Sequence, residues 1–297
     1  MFLTAIIGTI ICSIIPIVFI SCITNFQLPT CDDNLTPYTN KNGLHYKMAL
    51  VTFSDKYIGK KLVDKSIANK AAYAAAWNIE LKVPSRSELE DFDFVKNGQI
   101  DNMKRSKFAY VQKILPFYDA VLWIDIDAII MRQDVNLDQV FQDMLNQNKS
   151  VAMTQDRHLT NMLNSGVIMF RNHPPTFEFL DEFMNAHSLI IKCRKMRVCY
   201  SQLYDQNIIS YLINRWPLCG FGFAGRIIHH YSPVHPNWTK FNKLIQEWPI
   251  CTFNCIPEET TNATFIQHCY GVGLKLQRLT LDGKKTCMSR ALIKTFQ

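Results

Sequence analysis

The chain has 297 residues, 48% of them hydrophobic and 19% charged, with a formal net charge of +7. That apolar share can bury one large core or two small ones, and it excludes a disordered chain. The positive excess is spread out, its densest local cluster being Lys192, Arg194, Lys195 and Arg197. No zinc-finger spacing or RNA-binding motif accompanies that cluster, so no nucleic-acid partner is expected, while a mild basic excess suits a diphosphate-bearing substrate.

Taken in order, Met1 to Cys31 carries no charged side chain, and Phe2 to Ile23 is nearly all apolar. A run of about 20 apolar residues is long enough to cross a bilayer as a helix. The usual basic leader of a cleaved signal peptide is missing, so an uncleaved signal anchor over residues 1–26 is the expectation. Residues 27–45, with Pro29 and Pro37 among polar neighbours, read as a short stem before a folded domain over 46–297. Lys41 and Lys47 follow the anchor and lean by the positive-inside rule towards a cytosolic C-terminus. Four acceptor tripeptides beginning at Asn34, Asn148, Asn237 and Asn262 argue the other way. So do the cysteines. Beyond Cys12 and Cys22 come Cys31, Cys193, Cys199, Cys219, Cys251, Cys255, Cys269 and Cys287, with no metal-type spacing. Disulfides in an oxidising compartment, and hence a lumenal body, are expected.

The folded domain is predicted to open with a strand over Lys47–Phe53, ending at Ser54-Asp55, and an Ala-rich helix over Lys61–Trp77. A second strand, Ile79–Val83, and a second helix, Lys104–Leu115 closed by Pro116, precede the run Ala120–Met131, in which Asp125 and Asp127 interrupt apolar residues. Such a run reads as a buried strand, and alternation would aim both carboxylates at one face. Two like charges there need a cation or strong donors, for which a hard divalent ion is the natural partner. Helix 137–145, strands 150–154 and 165–170, helices 176–186 and 202–214, and a last strand near 263–271 complete the pattern. Strand and helix alternate, which predicts an α/β fold with a largely parallel sheet whose ligands gather at the carboxyl ends of strands. Gly166, in Asn164-Ser165-Gly166, is expected to let the backbone turn close to a ligand, or to be a plain turn glycine. Asp205 lies in the first turn of a helix, where an acid more often complements the helix dipole than serves as a catalyst.

Together, Asn69-Lys70, Tyr73-Ala74, Trp77-Asn78-Ile79, Lys107, Leu115, Trp123-Ile124-Asp125-Ile126-Asp127-Ala128, Asn164-Ser165-Gly166-Val167, Asp205-Gln206 and His268 form a set. From about Met48 to Gly271 this set resembles the fungal and plant glycosyltransferase family of α-galactosyltransferases, α-1,6-mannosyltransferases and xyloglucan xylosyltransferases. The resemblance implies a GT-A fold with a mixed sheet, and a type II Golgi (or ER) membrane protein with a lumenal catalytic domain. It also implies a nucleotide-diphosphate sugar donor, a glycan acceptor, and Mn²⁺, with Mg²⁺ as the alternative ion. It implies transfer of a galactosyl, mannosyl or xylosyl unit with retention of configuration. Asp125, Asp127 and His268 would hold the metal. Ser54, Asp55, Lys107, Asp125, Asn164, Gly166 and Gly271 would bind the donor, and Asp205 and Gln206 would do the catalytic work.

Two rival functions stay in view. A metal-dependent phosphodiesterase or nuclease normally needs a denser set of His and Asp ligands than this sequence shows. A membrane-tethered binding protein for glycans or nucleotide sugars would keep the same fold without catalysis. Metal-dependent turnover of nucleotide sugars separates the last from a transferase.

Overall fold

The computed structural model describes residues 45–54, 59–90, 103–156, 161–186, 204–215, 234–255, 264–269 and 281–295. The predicted anchor, the stem as far as residue 44, Asp55 and Gly271 lie outside them. In chain order the elements are β1 (Met48–Val51), α1 (Lys60–Ala76), β2 (Glu80–Lys82), α2 (Arg86–Glu90), α3 (Met103–Ile114), β3 (Ala120–Ile124), β4 (Ala128–Ile130) and α4 (Leu137–Asn146). There follow β5 (Val151–Gln155), β6 (Leu163–Arg171), α5 (Pro174–Asn185), α6 (Tyr204–Ile213), α7 (Trp238–Leu244), β7 (Ile245–Trp248), α8 (Ile250–Phe253), β8 (Ile266–His268) and α9 (Leu281–Thr295).

Six strands form one sheet in the order β2-β1-β3-β6-β5-β7, with β1 parallel to both β2 and β3. The sheet is mixed rather than largely parallel, because β6 runs antiparallel to β3 and to β5. Helical crossovers join β1, β2 and β3, which forces parallel pairing, whereas β5 returns through a short connection to β6 and so pairs antiparallel.

Side-chain alternation sorts the strands into two apolar layers. Ala49, Val51, Val121, Trp123, Val151, Met153, Ile168 and Phe170 face one core, packed by Phe108 and Val111 of α3, Phe179 and Phe183 of α5, and Ile209 of α6. Met48, Leu50, Ala120, Leu122, Ile124, Ala152 and Met169 face the other, packed by Tyr73 of α1 and by Val140, Phe141 and Met144 of α4. All twelve strand residues just named in β1, β3 and β6 are at most a few per cent exposed, as a sheet covered on both faces requires.

Asparagines end three of the helices. Asn78, Asn148 and Asn214 sit at positive φ (53°, 50° and 55°) just past α1, α4 and α6. After α1 the Asn78 N–H donates to Ala75 O and the Ile79 N–H to Ala74 O; after α4 the Asn148 N–H donates to Leu145 O and the Lys149 N–H to Met144 O. These are paired closures of a helix C-terminus on a left-handed residue, for which Asn is the best choice after Gly. Asn148 therefore has a conformational role, and Ser150 of the same acceptor tripeptide is buried, its Oγ 2.9 Å from His173 Nδ1.

Two corrections concern the acidic run. It is not one strand: β3 stops at Ile124, residues 126 and 127 form a turn, and β4 begins at Ala128. Gly166 is not in a turn. It lies inside β6 and its φ is outside the left-handed region.

Among the described residues no helix is long and apolar enough to cross a membrane.

Candidate metal and donor site

Asp125 and Asp127 come together through a tight turn. The Ala128 N–H donates back to Asp125 O at 3.0 Å, and the Asp125 N–H is tied across the sheet to Gly166 O at 2.7 Å. Ile126, between the acids, points away into a small apolar cluster with Ile129, Met288 and Leu292. One buried residue therefore anchors the turn and leaves both carboxylates on the other side.

Helix α1 holds this turn from below. Its buried stripe is Ser66, Asn69, Lys70, Tyr73 and Ala74, a helical spacing that carries polar groups. Its four polar members bond to main chain near the acids. Ser66 Oγ donates to Ile126 O (2.6 Å), Lys70 Nζ to Ala128 O (2.7 Å), and Tyr73 OH to Val135 O (2.7 Å). Asn69 is bidentate, giving Nδ2–H to Ile130 O and accepting Ile130 N–H, both at 2.9 Å. The irregular backbone after β3 has few ladder partners, so side chains of α1 supply them. Burial lowers the Lys70 pKa to about 7, against the pull of Asp127 and Asp125.

His268 arrives by a separate route. β8 pairs antiparallel with β4 in a two-stranded ribbon outside the main sheet, with His268 opposite Ala128. The Cys269 N–H donates to Asp127 O at 2.9 Å, closing the ribbon against the acidic turn. Nε2 of His268 lies 3.3 Å from Asp127 Oδ1, and Nδ1 is 2.7 Å from Asn254 Oδ1. Gly166 makes the slot for the ring. A Cβ at that position would sit 2.0 Å from His268 Cε1, so the strand can pass the imidazole only as glycine.

Asp125, Asp127 and His268 each offer a ligand atom, all within 4.8 Å of one another. Neighbouring ligands of an octahedral ion with bonds of about 2.1 Å lie about 3 Å apart, so two carboxylates and an imidazole at this spacing fit a divalent ion. Burial and the charge of Asp127 push the Asp125 carboxyl above its ordinary range, while Lys107, His268 and the Trp123 indole N–H pull it down. A bound cation would turn that balance towards the carboxylate.

A second cluster flanks the acids. Lys107, from α3, is buried and donates to Asp205 Oδ2 and Ser165 O, both at 2.8 Å, with Asp125 Oδ1 3.8 Å away. Burial alone would lower its pKa, but Asp125 and Asp205 more than offset this and hold the ammonium above 10.5. Asp205 also accepts from Ser165 Oγ (2.7 Å) and from the Gln206 N–H (3.0 Å). Behind them, Asp156 Oδ2 accepts from Asn164 Nδ2 (3.2 Å) and Gln206 Nε2 (2.8 Å), while Asn164 Oδ1 accepts the Gly166 N–H (2.8 Å). The segment Asn164–Gly166 reaches the acids because β6 is bulged: Met153 pairs with Ile168, but the next residue, Thr154, pairs with Asn164.

Asp125, Asp127, His268, Lys107, Asn164, Gly166, Asp205 and Gln206 thus lie in one connected group. Ser54 sits at the same end of the sheet, beyond β1, whose last residue Val51 pairs with Trp123. Asp156 and Asn254 belong to the group but carried no sequence signal. Asp156 follows an ordinary strand end, and Asn254 stands between two cysteines in a segment with no motif.

Residues 63–261 match the model of the nucleotide-diphospho-sugar transferase family. The chain belongs to that family. Its fold also matches the crystal structure of a glycosyltransferase involved in glycosylation of the major capsid of the virus PBCV-1, at 12% identity and a TM-score of 0.53, over 82% of this chain and 99% of that one. Weaker likenesses are to the galactosyltransferase LgtC (12% identity, TM-score 0.39, 84% of this chain and 97% of that one) and to mouse xyloside xylosyltransferase 1 (11%, 0.37, 75% and 96%). A search of curated proteins gave no match. Membership of the nucleotide-diphospho-sugar transferases makes this a glycosyltransferase with a nucleotide-sugar donor and a glycan acceptor, on a mixed α/β fold of the GT-A type.

Proposed function

We propose that this transferase moves a hexosyl (galactosyl or mannosyl) or xylosyl unit from a nucleotide-diphosphate sugar to a glycan acceptor, with Mn²⁺ or Mg²⁺ held by Asp125, Asp127 and His268. The observation that carries the reading is the convergence of these three ligand atoms within 4.8 Å. When bound, the cation neutralises the diphosphate as the anomeric bond breaks. Ser54, Asp55, Asn164, Gly166 and Gly271 are assigned to donor contacts. Lys107 contributes fixed positive charge beside Asp125, preorganised by Asp205 and Ser165. Asp205 and Gln206 are assigned to the face of the transferred sugar, where retention of configuration would be set. Asp156 is assigned to hold the Gln206 amide in place.

The same proposal has the chain anchored by residues 1–26 in the Golgi or ER membrane, with the body lumenal. The Cys269–Cys287 disulfide supports an oxidising compartment.

Full-length protein incubated with a panel of nucleotide sugars, with Mn²⁺ or with a chelator, should release nucleoside diphosphate only with metal. Donor binding without turnover across the panel and with glycan acceptors present would favour the binding-protein alternative.

A further inference from the structure

The His268 ring stands between two oxygens, and a neutral imidazole has only one N–H to give. Resting on the reading of His268 as a metal ligand, we propose that Asn254 is a positioning residue that keeps the N–H on Nδ1 and leaves the Nε2 lone pair facing Asp127.

Three observations lead there. Asn254 Oδ1 is the nearer acceptor, 2.7 Å from Nδ1, against 3.3 Å from Nε2 to Asp127 Oδ1. Both side chains are sealed from water, His268 at 3% exposure and Asn254 at 0%, so solvent cannot settle the choice. The ring lies tight against the Gly166 backbone, which fixes its place on that side: an added Cβ there would meet Cε1, Nδ1 and Nε2 at 2.0, 2.7 and 2.8 Å. Asn254 is held by its main chain, which closes α8 through its N–H to Ile250 O, and among the described residues its Nδ2 has no hydrogen-bond partner. The opposite amide orientation would put Nδ2–H on the ring, send the imidazole N–H to Nε2, and place that hydrogen where a cation must bind. The amide thus decides whether His268 can ligate. A partner behind a metal-bound histidine is typically worth about 10 to 100-fold in metal affinity.

The test is a long-range ¹H–¹⁵N correlation spectrum of the histidine rings in full-length, metal-free protein at mildly alkaline pH, with His268 identified by its loss in His268→Gln. Wild type should show N–H on Nδ1 and a bare Nε2. In Asn254→Leu the proton should move to Nε2, which faces Asp127 Oδ1 at 3.3 Å, and Mn²⁺ affinity measured by electron paramagnetic resonance should fall about 10 to 100-fold. Asn254→Asp, which keeps the acceptor, should retain the wild-type tautomer and should decide the matter if the leucine variant does not fold. Wild type with its proton on Nε2, or a folded Asn254→Leu protein with an unchanged tautomer, would overturn the proposal. Nδ1–H in a wild type that binds no Mn²⁺ would instead uphold the role of Asn254 and contradict the metal reading.

Discussion

Gly166 is held by space rather than by conformation, and its replacement is a sharp probe of the site. In Gly166→Ala the new methyl must displace the His268 ring or the strand, since the clash at 2.0 Å involves a ring that is itself buried. Metal affinity should drop at least about tenfold, with a loss of about 1 to 3 kcal/mol in folding stability from overpacking. Parallel Mn²⁺ titration and urea denaturation check this; wild-type affinity in the variant would show that the ring is not a ligand. Lys70 makes a different prediction. Burial holds it at about 7 instead of 10.5, so between those values the folded protein binds fewer protons than the unfolded chain. Its contribution to stability therefore improves as pH rises from about 7 to 10.5 and is least favourable below that window. Lys70→Met should flatten the rise of the denaturation midpoint with pH; an identical slope in both proteins would contradict the assignment.

At the scale of elements, α1 explains why a motif visible in the sequence resisted a physical reading there. Its buried stripe has regular helical spacing, but its members are Ser66, Asn69, Lys70 and Tyr73, while alanines occupy much of the rest. Apolar periodicity could not single out that face, because Ser66, Asn69 and Lys70 on it bond to backbone, and Tyr73 both bonds to backbone and packs in the core. Asn69→Ala should remove both bonds to Ile130 and cost about 2 to 4 kcal/mol, with metal affinity weakened as the acidic turn loosens. Equal stability of variant and wild type in urea would count against the clamp. The acidic run reads in the sequence as one buried strand with two carboxylates on one side, whereas the structure has two strands around a turn. Their convergence has another cause, a turn anchored by Ile126, since residues i and i+2 in a strand and in such a turn can face the same way. His268 was placed by resemblance. Its physical route, the β4–β8 ribbon, joins residues far apart in the chain and leaves no local pattern. Asp156 and Asn254 were unreadable for the same reason: their meaning lies in what tertiary structure brings against them.

For the molecule as a whole, strand and helix order were readable because apolar runs and caps are local, and the layers follow from alternation along each strand. The antiparallel strand β6 was not, since pairing direction depends on the connection and not on composition. The Cys269–Cys287 bridge ties α9 to the residue after His268. Closing a loop of this size contributes about 3 kcal/mol by chain entropy, so reduction should lower the melting temperature and loosen the metal site together. Protection of the body from protease in intact microsomes tests the lumenal placement; digestion there would favour the opposite orientation suggested by Lys41 and Lys47. The central claim is that Asp125, Asp127 and His268 together hold one divalent ion. Pulsed electron paramagnetic resonance of the Mn²⁺-loaded full chain tests it most directly. The expected spectrum has a single histidine nitrogen coupled to the ion, absent in His268→Gln, with ion binding itself lost in Asp127→Ala. Mn²⁺ bound without nitrogen coupling, or bound as tightly by Asp127→Ala as by wild type, would contradict the account.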